Sequence, residues 1–246
     1  MTRAGLKIHE AIWHDVECGA YTADLTTWTA LAREATGPVL ELGSGTGRVA
    51  LHLAREGFDV TCVDVSSALT AELRARAVEA GLEVEAVIGD ARALALGRRF
   101  ALVAAPMQFV HLMGGAVGRE RLLCTAATHL APGGRVAMAL LGDHGPPAPL
   151  VPPPLPDVLE RAGWVYSSLP IEARDTGAGI DVRRLRQLVS PTGSLREQVD
   201  SVHLDSLTAA RLEAEAGVVG LTSRERIEVP PTLDHVGSTI VVLEAA

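Results

Sequence analysis

Aromatic residues are scarce in this 246-residue chain, where Phe, Trp and Tyr together make up 3%. The stacking platforms that single-strand nucleic-acid binders use are correspondingly few. Basic charge is also short: 22 Lys and Arg stand against 30 Asp and Glu, a net charge of −8, so the chain lacks the cationic footprint that a phosphate backbone requires. Nucleic acid is not an expected partner. The three cysteines, Cys18, Cys62 and Cys124, are far apart and form no C-x-x-C pair, which suggests neither a disulfide framework nor a zinc knuckle. A reducing cytoplasm is the expected location. The most apolar stretch, residues 100–110, is short and interrupted by Pro106 and Gln108, and no basic start leads into an apolar run, so neither a membrane span nor a signal peptide is expected.

What is present is the composition of a folded protein, with 48% hydrophobic and 21% charged residues. A chain of this length buries roughly 70–75% of its unfolded surface and folds without covalent or metal staples. Charge is unevenly spread. Residues 1–141 carry 13 basic and 15 acidic side chains, whereas residues 142–246 carry 9 and 15.

Strand-length apolar runs at residues 39–42, 59–65, 84–88, 101–105 and 135–141 alternate with helical patterns at 47–55, 67–80 and 119–130. Near-continuous Val, Leu and Ala in each run predicts strands buried on both faces, hence a doubly wound, mostly parallel α/β sheet. Leu25, Trp28, Leu31 and Ala32 predict a leading helix over 24–35 that ends at the Gly37-Pro38 turn. Residues 145–156 hold seven of the 14 prolines and read as a stiff connector. A short helix is expected at 157–162, then three strands at 164–173, 182–190 and 195–204 joined by glycine-containing turns, an antiparallel meander. A helix at 206–216 and strands at 221–229 and 238–243 would bring the central sheet to seven strands. The expected organisation is one domain: N-terminal cap helices (1–37), a core (38–141), the connector and meander (142–205), and a closing helix with a strand pair (206–246).

The strongest local signal is Val39-Leu40-Glu41-Leu42-Gly43-Ser44-Gly45-Thr46-Gly47-Arg48. A buried strand ends in an acid and passes through glycines at every second position into a helix, an arrangement that lets backbone approach a ligand and frees amide donors. The dinucleotide fingerprint G-x-G-x-x-G would need glycine at position 48, which is Arg48, so the register does not fit NAD. Here the chain resembles the class I S-adenosylmethionine-dependent methyltransferases. The resemblance covers about residues 38–141: the E-L-G-x-G-T-G loop, Asp64 at the second strand end, Gly89-Asp90-Ala91 after the third, residues 100–112 around the fourth, and His129-Leu130-Ala131-Pro132-Gly133-Gly134 before the fifth. The meander resembles the lid or dimer sheet of small-molecule methyltransferases, as a pattern of strands only.

The resemblance implies S-adenosylmethionine as cofactor and a role for each matching position. Asp64 would accept the ribose hydroxyls. Glu41 and the amides of Gly43, Ser44, Gly45 and Gly47 would face the methionine end, with Glu41 toward its ammonium. Asp90 and the backbone of Ala91 would meet the adenine amine, Val65 would pack on the ring, and Ala105 and Pro106 would stand where sulfonium and acceptor meet. The Ala-Pro-Met-Gln sequence there differs from the N-P-P-Y or D-P-P-Y of nucleic-acid-base and glutamine methyltransferases. Methyl transfer is an in-line displacement in which alignment can supply roughly 7–11 kcal/mol. A hydroxyl acceptor also gains from a general base, for which the candidates are His111, His144 and Tyr21. His14, Gln108, Arg184 and Arg186 are candidate acceptor contacts. Each has a structural counterpart: Asp90 as a helix-start cap, His111 as a hydrogen-bonded core histidine, and the two arginines as partners of neighbouring acids. His9 with His14, or Asp143 with His144, lacks a third ligand, so no metal is expected. The expected function is methylation of a nitrogen or oxygen on a small molecule, by a monomer or homodimer. The alternatives are a protein or tRNA methyltransferase and a non-catalytic S-adenosylmethionine-binding regulator.

Overall fold

Strands covered on both faces need no polar alternation, and Val39–Leu42 (β1) and Phe100–Ala105 (β4) have none: every residue in both is buried. The computed structural model describes residues 10–142, 154–232 and 235–245. Around β1 and β4 it places Val60–Asp64 (β2), Glu85–Ile88 (β3), Leu130–Leu141 (β5), Leu221–Val229 (β10) and Ser238–Ala245 (β11) in one sheet of order β10-β11-β5-β4-β1-β2-β3. The five strands β1 to β5 pair in parallel, and β11 joins β5 antiparallel, as does β10 with β11. Helices Leu25–Ala35 (α1), Arg48–Arg55 (α2), Ser67–Glu79 (α3), Ala116–Thr128 (α4) and Ala209–Val218 (α5) connect them. The strand order reverses between β1 and β4, and ligands of open α/β sheets bind outside the strand ends at such a point.

The chain divides into two compact units, Thr22–Asp143 with Leu207–Ala246, and Met1–Tyr21 with His144–Ser206. In the first, Asp24 fixes the start of α1 to the start of α2: its carboxylate accepts Trp28 Nε1 at 2.8 Å and both terminal nitrogens of Arg48 at 2.6 and 2.8 Å, all buried or nearly so. α4 begins three residues before the expected position, and β5 begins at Leu130 rather than at 135. A register shift between Phe100 and Leu102 absorbs Pro132-Gly133-Gly134 as an irregular start to that strand.

The second unit is an antiparallel sheet of four strands, Asp157–Arg161 (β6), Trp164–Asp175 (β7), Gly179–Val189 (β8) and Leu195–Asp205 (β9). Residues 157–162, expected to be helical, are instead β6. Ala162 and Gly163 take φ of 53° and 78°, the left-handed pair of a two-residue hairpin turn, and β6 pairs back from Arg161↔Trp164 to Asp157↔Ser168. Residues 10–14 are helical and run into a π-helical turn, Asp15–Gly19. Ile12, Trp13 and Val16 from this segment form a core with Tyr166, against which Leu159, Trp164 and Leu188 pack. The expected connector lies mostly outside the described residues.

Candidate active site

Between β1 and α2 the backbone enters the left-handed region three times, at Gly43 (φ 71°), Gly45 (56°) and Gly47 (93°). Space also excludes larger residues. A β-carbon at Gly43 would lie 2.2 Å from Cδ2 of Phe109, and one at Gly47 would lie 2.8 Å from Cγ of Leu73. The loop is bonded to the end of β2: Gly43 and Ser44 N–H donate to the Val63 carbonyl at 2.9 and 3.1 Å, and Gly45 N–H donates to Asp64 Oδ2 at 2.8 Å. Ser66 N–H donates to Asp64 Oδ1 at 2.8 Å. The Asp64 carboxylate thus joins two loops at the sheet's ligand end, and each oxygen keeps a further lone pair for a hydroxyl.

Glu41 precedes this loop and is 2% exposed; its Oε2 is buried with no hydrogen-bond partner. Burial pushes its carboxyl up to about 8, against the opposing pull of the Arg48 charge and the Ala50 amide. An orphaned acid oxygen in the core is costly unless a donor meets it. An ammonium group is the donor that would also restore the charge.

A cleft of about 210 Å³ opens beside the loop, lined by Gly43, Val63, Asp64, Val65, Gly89, Asp90, Ala91, Arg92, Phe109, Leu112 and Met113. Val65 is 75% exposed and Leu112 47% exposed, apolar surfaces free for a planar ring. Asp90 is paired with Arg92, whose Nη2 lies 2.8 Å from Oδ2 and whose backbone N–H donates to Oδ1 at 2.9 Å. These bonds hold the carboxyl below its ordinary range. No helix follows Asp90 before β4, so it caps a turn rather than a helix. The sequence reading did not single out Phe109, Leu112, Met113 or Arg92, because a lining built from a turn leaves no periodic trace; only the aromatic soon after Pro106 could have hinted at it.

At the end of β4, Ala105 and Pro106 are buried, and Met107 takes φ 55°, rare for a residue with a side chain. Gln108 precedes a 3₁₀ turn, Phe109–Leu112. His111, named above as a candidate base, is 2% exposed, and its Nε2 accepts the Leu141 N–H at 3.1 Å. A ring that accepts at Nε2 is neutral and carries its proton on Nδ1. Neither nitrogen is then placed to take a proton from an acceptor.

In the second unit, Arg184 and Arg186, candidate acceptor contacts in the sequence, are held by the chain's own acids. Arg186 donates to both oxygens of Glu17 at 2.8 Å and lies 3.1 Å from Asp200, with its guanidinium 5.4 Å from the Trp13 ring centre. Arg184 donates to Ser168 Oγ at 2.8 Å and pairs with Asp157. Burial alone would raise the Glu17 carboxyl, but the bonds from Arg186 and Ser168 outweigh it and hold the group low. Tyr21 is buried and His14 half-buried. His144 lies outside the described residues.

The strand order, the glycine loop after β1 and the acid closing β2 are the arrangement of a nucleotide-cofactor site in an open α/β sheet. The family described as "Methyltransferase domain" matches residues 39–134. The chain is similar to the CcbJ methyltransferase of Streptomyces caelestis, at 26% identity and TM-score 0.69, covering 92% of this chain and 90% of the other. It shares its fold with the sugar N-methyltransferase KedS8 of a Streptoalloteichus species (18% identity, TM-score 0.76, 95% and 92% covered). The same holds for CalS10 of Micromonospora echinaspora, an amino pentose methyltransferase solved with S-adenosylmethionine bound (20%, 0.68, 96% and 96%). Two curated relatives match over shorter spans. Hemagglutinin 1 of Eikenella corrodens is 33% identical over 115 residues, 38% of its length, and an ATP synthase lysine N-methyltransferase of Caenorhabditis elegans is 47% identical over 49 residues, 26% of its length. Residues 39–134 thus carry a methyltransferase domain, and the chain as a whole is similar in fold to S-adenosylmethionine-dependent methyltransferases. The residues present fit the cofactor: the partnerless Glu41 Oε2 suits its ammonium, and the glycine cradle leaves backbone where side chains would intrude. Among the described residues no helix is long and apolar enough to cross a membrane.

Proposed function

We propose that this protein transfers a methyl group from S-adenosylmethionine to an amine nitrogen of a small molecule. The buried, partnerless Oε2 of Glu41 behind the glycine loop carries the cofactor half of the reading. Bound S-adenosylmethionine supplies a methyl carbon made electrophilic by its positive sulfur. Asp64 would anchor the ribose, Glu41 the ammonium, and Val65, Asp90, Ala91 and Leu112 the base, leaving Ala105, Pro106 and Gln108 beside the reacting carbon. A neutral amine brings its own lone pair and needs orientation rather than a proton acceptor, which accords with a His111 whose Nε2 already accepts a backbone amide. Solved neighbours named for sugar amines share the fold, and Arg184 and Arg186, already paired with acids, leave little for an anionic acceptor to meet.

Thermal unfolding with S-adenosylmethionine, S-adenosylhomocysteine and NADH tests the cofactor half. Ligand at a hundred times its Kd adds about 2.7 kcal/mol, or a rise of about 5–11 °C for a chain of this size. The shift is expected with the two sulfur compounds, not with NADH, and is expected to vanish in Asp64→Ala. A response to NADH alone would overturn the reading. Production of S-adenosylhomocysteine with amino sugars, and not with their hydroxyl analogues, tests the acceptor half.

A further inference from the structure

We propose that His111 is a positioning residue that replaces a missing strand neighbour and thereby seats Phe109 against the cofactor loop. The proposal rests on the methyltransferase reading for its consequence, though not for its geometry. β4 stops at Ala105, in register with Met138, whereas β5 runs on to Leu141 with β11 at its other side, Leu141 facing Ser238. Among the described residues no strand pairs with the β4 side of β5 beyond Met138, and a partly buried amide there needs another acceptor. The Leu141 N–H finds the ring of His111 instead, 3.1 Å from Nε2, in a place where the ring is 2% exposed. An imidazole thus ends the ladder.

The same bond fixes the turn that carries it. Phe109 N–H donates to the Pro106 carbonyl at 3.4 Å and His111 N–H to the Gln108 carbonyl at 2.9 Å, while Met107 holds φ 55°. A left-handed Met is unfavourable and persists only where its surroundings over-determine it. With one end continuous with β4 and the other tied to β5 by His111, the turn presents Phe109 to Gly43, where even a β-carbon would approach its ring to 2.2 Å. Phe109, Leu112 and Met113 line the cleft, so the shape of that wall depends on the His111–Leu141 bond.

A base and a positioning residue predict opposite results for one substitution. In H111Q the amide oxygen can still accept the Leu141 N–H but no group titrates, whereas H111L fills the space and accepts nothing. Calorimetry with S-adenosylhomocysteine is expected to show affinity within about threefold of wild type for H111Q and a loss of about tenfold or more for H111L, the scale of one lost buried hydrogen bond; turnover should rank the same way. Inactive H111Q with unchanged affinity would overturn the proposal in favour of a base. Amide hydrogen exchange at Leu141 reads the bond without any ligand: slow in wild type and H111Q, fast in H111L. Equal protection in all three would also overturn it. Should wild type bind no S-adenosylhomocysteine, the methyltransferase reading fails and the exchange result still decides this one. H111N, whose amide is too short to reach the Nε2 position, replaces H111L if that variant does not fold.

Discussion

Glu41 combines two properties that a core residue rarely has together, full burial and an oxygen with no partner. Its folded carboxyl titrates at about 8, against an ordinary value of 4.5. Between those values the folded protein keeps a proton that the unfolded chain has released, so this group's contribution to stability falls as pH rises from about 4.5 to 8. Glu41→Gln removes that slope, and its melting temperature should gain on wild type as pH increases. An ammonium placed at Glu41 favours the ionised form, so binding S-adenosylhomocysteine near pH 7 should release a proton in wild type and none in Glu41→Gln. Calorimetry in buffers of different ionisation enthalpy measures this, and equal proton counts in the two proteins would move the ammonium elsewhere.

At the scale of elements, the parallel strands and their helices were readable because hydrophobic runs, caps and glycines act locally. The strand at 157–161 was not, since Val158, Leu159 and the flanking charges suit a helical turn as well as a strand, and only pairing with β7 across Ala162-Gly163 settles it. The start of β5 was hidden for a similar reason: Pro132-Gly133-Gly134 reads as a turn until β4 lies beside it. The glycine loop was fully legible, yet the reason Gly43 must be glycine is a contact with Phe109, far away in sequence. Gly43→Ala faces both a positive φ and the Phe109 ring. About 1–2 kcal/mol from the backbone alone is expected, together with a loss of S-adenosylhomocysteine affinity of tenfold or more. A variant that binds normally would show that the loop has room.

Across the whole molecule, the sheet of β6 to β9 and the N-terminal segment are separated by well over a hundred residues yet form one unit, centred on Glu17 with Arg184, Arg186 and Ser168. Glu17→Ala strips both arginines of that carboxylate, at a cost of about 2–4 kcal/mol or roughly 5–15 °C in Tm. Limited proteolysis should then cut first within residues 10–21; a cleavage pattern like that of wild type would mean the segment is held by Ile12, Trp13 and Val16 alone. Arg184 and Arg186 are thereby accounted for as partners of Glu17, Asp157 and Asp200 within this unit.

By itself the sequence determined the cofactor half of this protein. The glycine spacing, the acids closing β1 and β2 and the buried strands are short-range features whose chemistry follows from local backbone geometry. Tertiary structure alone decided what the long-range polar groups do: it left Glu41 Oε2 without a partner, tied Arg184 and Arg186 to internal acids, and turned His111 toward a backbone amide. A side chain's role depends on which donor or acceptor reaches it first, and that competition is resolved only when distant segments pack together.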